Sequence, residues 1–222
     1  MAQPVVATKA LAVAADADGI CETQTPAGAG NLTINGAKAT GGVASLSSAR
    51  QVLFTFAGAD AARTFVIYGT ADASGIPIQE TVSGANSPST SVTTLNYYTV
   101  TRISVDAAMA GALTVGTNGV GASQWYNVNF DAQPFNLSIS TSVSGTVNYT
   151  IQYTYDNFWG TVDPSAWTIA VGTVTAYSDP ILVAQTAAGQ TTINDPITGW
   201  RVLINSGTGT VTARAIQAGL RG

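Results

Sequence analysis

Histidine is absent from this chain, and cysteine occurs once, at Cys21. Without imidazole there is no Ser-His-Asp or Cys-His machinery, no histidine-ligated metal and no near-neutral charge switch. One cysteine forms no intrachain disulfide and no thiolate zinc cluster, and Cys21 has no basic sequence neighbour to activate it. Charge is scarce as well. Lys and Arg number 8, Asp and Glu 12, together 9% of 222 residues, against about 25% in a usual soluble domain. The net charge of -4 and the scatter of the arginines exclude the clustered cations of a nucleic-acid surface. No apolar run reaches the ~18 residues of a spanning helix, so no membrane partner is expected. Lys9 interrupts the apolar stretch from Val5 to Ala15, which therefore does not read as a secretory leader. No phosphate loop, dinucleotide fingerprint, HExxH, CxxC or heptad run is present, and no cofactor is expected.

What the chain does hold is strand vocabulary. Val, Ile, Thr, Tyr and Phe abound, Leu never recurs at helical spacing, and there are 23 glycines. From Ala49 the pattern has period two, with Val52, Phe54 and Phe56 alternating with Leu53, Thr55 and Ala57. Further runs at 64–69, 76–82, 91–95, 97–105 and 112–116 are separated by Gly, Asp, Asn and Ser turns. Pro77 removes a ladder donor, which places its strand at a sheet edge. After the glycine-rich stretch 116–123, read as a hinge, the same grammar predicts strands at 124–130, 135–143, 146–155, 167–176, 181–186, 198–204 and 210–217.

The fold class expected is all-β, with two tandem antiparallel β-sandwich domains, jelly-roll or Ig-like, behind an extended N-terminal arm. The arm covers 1–45, the first sandwich 46–120 and the second 121–222. The halves share a grammar. The run Thr64 to Asp72, then Tyr98 to Val105, then Leu113 to Val115 is echoed by Asn148 to Asp156, Pro196 to Ile204 and Gly209 to Thr212. Two related domains in tandem would account for it.

Candidate chemistry is thin. Most of the twelve acids stand beside Gly, Pro or Asn, where Asp serves as a turn former, so no carboxylate pair singles itself out for catalysis. The chain reads as a non-enzyme. Asp16-Ala-Asp18-Gly19 resembles the opening of a calcium loop without its later ligands, and no metal site is assigned. A surface low in charge favours association. The apolar residues Val5, Val6, Leu11, Val13 and Ile20 are the expected contacts of an arm lying on a neighbouring subunit. Loop aromatics anchor interfaces or stack on sugars, and Phe158 and Trp159 are the candidates, with Trp200 read as core. The arginines are expected to pair with acids of neighbours.

Several segments resemble a known group. They are Gly41 to Leu46, Ala49 to Thr55, Arg63 to Asp72, Gln79 to Gly84, Tyr97 to Val105, Leu113 to Thr117 and the closing Val211 to Gly219. Together they resemble small β-rich structural proteins of tailed bacteriophage virions. The resemblance implies a multi-copy, non-enzymatic virion subunit, assembled in the bacterial cytoplasm. Its partners would be further copies of itself and other virion proteins: portal, adaptor, tail or major capsid protein. The expected place is the tail, neck or fibre attachment apparatus. The alternatives are a capsid decoration protein and a carbohydrate-binding module or adhesin that takes a host-surface glycan.

Overall fold

The computed structural model describes residues 6–11, 14–73, 75–129, 133–156 and 174–220, with side chains from 14 to 217 except residue 133. The regular structure in these residues is all β, with no helix among them. They form two compact units. The upstream unit is residues 15–120, and the downstream unit joins 6–11 and 14 to 121–156 and 174–220.

The upstream unit contains β2 (Asp16–Gln24), β3 (Gly30–Asn31), β4 (Ala39–Thr40), β5 (Val43–Phe56), β6 (Thr64–Thr70), β7 (Pro77–Ser83), β8 (Thr90–Val92), β9 (Tyr97–Val105) and most of β10 (Leu113–Ala122). Its strands lie in two rows, β2-β10-β5-β8 and β7-β6-β9. β5 touches both rows. Ala44, Ser45 and Arg50 pair with β9, and Leu53 to Thr55 pair with β8. The register breaks between Ser45 and Arg50, where Ser47 takes a positive φ of 58°. Alternation along β6 buries Phe65, Ile67 and Gly69 and leaves the residues between them half-exposed. Both rows feed one core. Ile20, Val52, Phe54 and Val115 come from the first row, and Phe65, Ile67, Val100 and Ile103 from the second. Phe65 packs its ring on Phe54 and Phe56, with centroids 5.1 and 5.7 Å apart. Each such ring contributes about 2–3 kcal/mol through burial.

The downstream unit contains β1 (Val6–Leu11), β11 (Tyr126–Asn127), β12 (Gln133–Ser144), β13 (Val147–Thr154), β14 (Tyr177–Ser178), β15 (Gly189–Ile193), β16 (Gly199–Gly207) and β17 (Thr210–Leu220). Its rows are β1-β17-β12-β15 and β14-β13-β16, with β11 and the last two residues of β10 added to β16. Leu137, Ile139, Val211 and Ala213 from the first row meet Tyr149, Ile151, Trp200 and Val202 from the second in its core. Trp200 is buried, as its place in an alternating run predicts.

The two strand orders correspond strand for strand in chain order. β2, β5, β6, β7, β8, β9 and β10 occupy the places that β1, β12, β13, β14, β15, β16 and β17 occupy downstream. The echoed segments are thus topological equivalents. β6 pairs antiparallel with β9, and β13 pairs antiparallel with β16. This shared order is what a duplicated domain would leave.

Three local expectations differ from the structure. Residues 16–24, read within an extended arm, form β2, which pairs with β10 and buries Ile20 and Cys21 completely. The glycine-rich stretch read as a hinge is strand as far as Ala122. Gly116 serves close approach there rather than flexibility, because a Cβ on it would stand 1.8 Å from the Asp16 carbonyl oxygen. Residues 181–186, read as a strand, form an irregular edge instead. The Asp179 carboxylate takes the Ile181 and Leu182 amides, and only the Tyr149–Gln185 bridge is ladder-like. Pro77 does lie on an edge strand, since β7 ends its row.

Candidate interaction surface

β13 carries the core face of the downstream unit out to the surface. Tyr149 and Ile151 are fully buried, Tyr153 is half-buried against the same core, and Tyr155, just past the strand end, is exposed. β14 lies beside them, with Tyr177 opposite Tyr153 in register. The three tyrosines form one aromatic cluster. Tyr153 and Tyr177 stack at 5.9 Å with 21° between planes, and Tyr155 meets both edge-on at 5.7 and 5.5 Å. Tyr155 and Tyr177 are each 45% exposed. Partial burial first, then Tyr153 and the Asp195 carboxylate, hold the Tyr155 phenol above the usual tyrosine range.

The chain leaving β14 adds further exposed apolar side chains. Asp179 is buried and accepts the amides of Ile181 and Leu182 on one oxygen, at 2.9 and 2.7 Å, and the Thr191 hydroxyl on the other, at 2.9 Å. The turn drives Leu182 into the core and leaves Ile181 and Val183 outside, with Ile181 58% exposed. The Gln185 amide donates to the Ile181 and Val183 carbonyls at 3.0 and 3.3 Å. Those carbonyls are therefore already used, so the edge is poorly suited to adding a strand from another chain. What it offers is side chains. Tyr155, Tyr177, Ile181 and Val183 are four of the seven large apolar residues exposed among the described ones.

The residues singled out from sequence fall elsewhere. Ile20 has no exposed surface and belongs to the upstream core, so it does not face a neighbour. Val6 and Leu11 are the ends of β1, paired with Ala215 and Thr210 of β17. Val5, Val13, Phe158 and Trp159 lie outside the described residues. The Asp16 carboxylate is held by Lys38 at 2.9 Å, which also lowers its pKa. Among the described residues no group of three or more His, Cys, Asp or Glu side chains could hold a metal ion. Three arginines are used within their own units. Arg50 is buried, donating to the Leu46 carbonyl and the Ser48 hydroxyl. Arg102 lies 3.8 Å over the Tyr68 ring. Arg201 lies 4.5 Å over Trp125 and donates to Gln152, and desolvation lowers its pKa to about 10.

Sequence reasoning passed over Tyr155, Tyr177, Ile181 and Val183. Ile181 and Val183 sit in a run that reads as an ordinary alternating strand, and only the Asp179-Pro180 pair before it signals a turn. No family model matches the chain, and no curated protein is significantly similar to it.

Proposed function

We propose that this chain is a non-enzymatic structural subunit of a tailed-phage virion, present in many copies in the tail, neck or fibre attachment apparatus. It acts by protein-protein contact. The virion setting rests on the resemblance of its strand segments to such proteins. The observation that carries the association is the exposure of Tyr155, Tyr177, Ile181 and Val183, in a chain with only 9% charged residues. Aromatic anchors beside aliphatic side chains are the composition of interface hot spots. In this reading each unit is a β-sandwich, its two strand rows closed over one core, and the first strand is the arm that reaches a neighbour.

Light scattering on the purified chain, with mass spectrometry of purified particles, tests the reading. A concentration-dependent oligomer and a fixed stoichiometry in the particle are expected. A chain that stays monomeric and is absent from particles overturns it. Stoichiometry also separates the head decoration alternative, which requires hundreds of copies rather than a few to dozens. A carbohydrate-binding reading has one observation in its favour, the exposed Tyr177 ring stacked on the half-buried Tyr153. Glycan-array binding that is lost in Tyr177→Ala would support it over the structural role.

A further inference from the structure

The first strand of the downstream unit comes from outside its main stretch, 121–220. In the upstream unit the outer edge of β10 is filled by β2, which belongs to the same continuous stretch of chain, 15–120. The equivalent edge downstream belongs to β17, and the described residues of 121–220 leave it open. β1 fills it, delivered from the far side of the intervening upstream unit in the chain. The pairing is regular over six residues, from Val6 opposite Ala215 to Leu11 opposite Thr210. Val6, Thr8 and Ala10 stand opposite Ala215, Ala213 and Val211, the buried row of β17, and Ala7 and Lys9 stand opposite Arg214 and Thr212 on its outer row.

We propose that this edge is a strand-exchange site, at which residues 6–11 of one copy of the chain complete the sheet of a second copy. Three features carry it. No described residue of 121–220 pairs with this edge, and β1 alone among the described strands completes it. The pairing is made by backbone in register, so it is the same whichever chain provides β1. Only residues 12–15 separate β1 from β2, and short connections of this kind invite exchange, because all the pairing is kept when the segment swaps chains. The occupant is thus a second copy, and the closed single chain is the competing form. The inference rests on the proposed self-association and states where one part of it occurs.

Cysteine pairing across the strands is the test. Lys9→Cys and Thr212→Cys are placed in separate chains carrying different tags, coexpressed and oxidised. A third chain carries both substitutions. Cys21 has no exposed surface, so it does not compete in the folded protein. Exchange predicts a disulfide-linked species carrying both tags. Overturning it would be a double variant that locks as a monomer while the separate chains never cross-link. If light scattering still shows an oligomer, exchange alone fails and the self-association reading stands. A monomer at every concentration removes both. Ala7→Cys with Arg214→Cys repeats the test at a second register pair. If neither pair closes even within one chain, the β1–β17 register is wrong and the proposal falls with it.

Discussion

The Asp179 carboxylate and the Thr191 hydroxyl meet inside the downstream unit at 2.9 Å, joining the turn after β14 to β15 across twelve residues of chain. The other Asp179 oxygen holds the amides of Ile181 and Leu182. Asp179→Ala strands three buried or partly buried donors and is expected to cost about 3 kcal/mol of stability. Asp179→Asn keeps the acceptor for the two amides and should cost about 1 kcal/mol. Urea unfolding gives the two values. Hydrogen exchange at 181–183 should quicken in the alanine variant first, and equal protection in both would show that the turn does not depend on this carboxylate.

The exposed aliphatic residues Ile181 and Val183 make a separate prediction. Ile181→Ser with Val183→Ser leaves core and hydrogen bonds in place, because both side chains face solvent in the single chain. Self-association should weaken about ten-fold or more, the effect of losing about 1.4 kcal/mol of interface contact. Sedimentation across a concentration series reads the change, with the thermal midpoint as control. Unchanged association with an unchanged midpoint would put the interface elsewhere.

Gly116 is tightly constrained by its neighbour. An added Cβ meets the Asp16 carbonyl oxygen at 1.8 Å and the Ala17 carbonyl carbon at 2.5 Å, both backbone atoms that cannot rotate away. Gly116→Ala should therefore displace β2 from β10 and cost about 2 kcal/mol, in the range of overpacked sites. Faster exchange of the Ile20 and Cys21 amides would locate the damage, whereas wild-type stability would mean that β2 moves at no cost.

Cys21 ties stability to alkaline pH. Burial pushes its thiol up to about 12, with a Gln24 hydrogen bond pulling in the opposite direction. In the unfolded chain the thiol ionises near ~8.5. Between these values the folded chain keeps a proton that the unfolded chain has lost, so stability is intact below about pH 8.5 and falls as pH rises. The slope approaches ~1.4 kcal/mol per pH unit. Cys21→Ala is expected to cost about 1 kcal/mol at pH 7 through the small cavity and to remove that slope. Urea midpoints at pH 8 and pH 10 for both chains decide it, since the other alkaline groups cancel in the comparison. Parallel losses would contradict the assignment.

Legibility in the sequence followed local order. β6 and the middle of β16 were readable because core and half-exposed residues alternate along them, as in Phe65 and Ile67 or Val202 and Ile204. β9 and β13 were readable from their β-branched and aromatic residues, since neither keeps a strict alternation of burial. β2 was not readable. Its register on β10 shifts twice, so Gly19, Ile20 and Cys21 are buried in succession and no period of two exists. β15 escaped for a different reason. Its buried Thr191 looks like surface until Asp179 satisfies its hydroxyl. The tyrosine cluster depends on β13 and β14 pairing across about twenty intervening residues, which neither strand announces.

By itself, then, the sequence determined the chemistry that is missing and the strand class. Side-chain identity excludes imidazole and disulfide chemistry, and alternation is a local property of consecutive residues. Tertiary structure decided which strands are neighbours. β1 lies beside β17, about two hundred residues away, through backbone hydrogen bonds that any residues but proline can make. Such pairing leaves little trace in either segment alone. It fixes the common order of the two units, the open edge that β1 fills and the places where Tyr155, Tyr177, Ile181 and Val183 reach the surface.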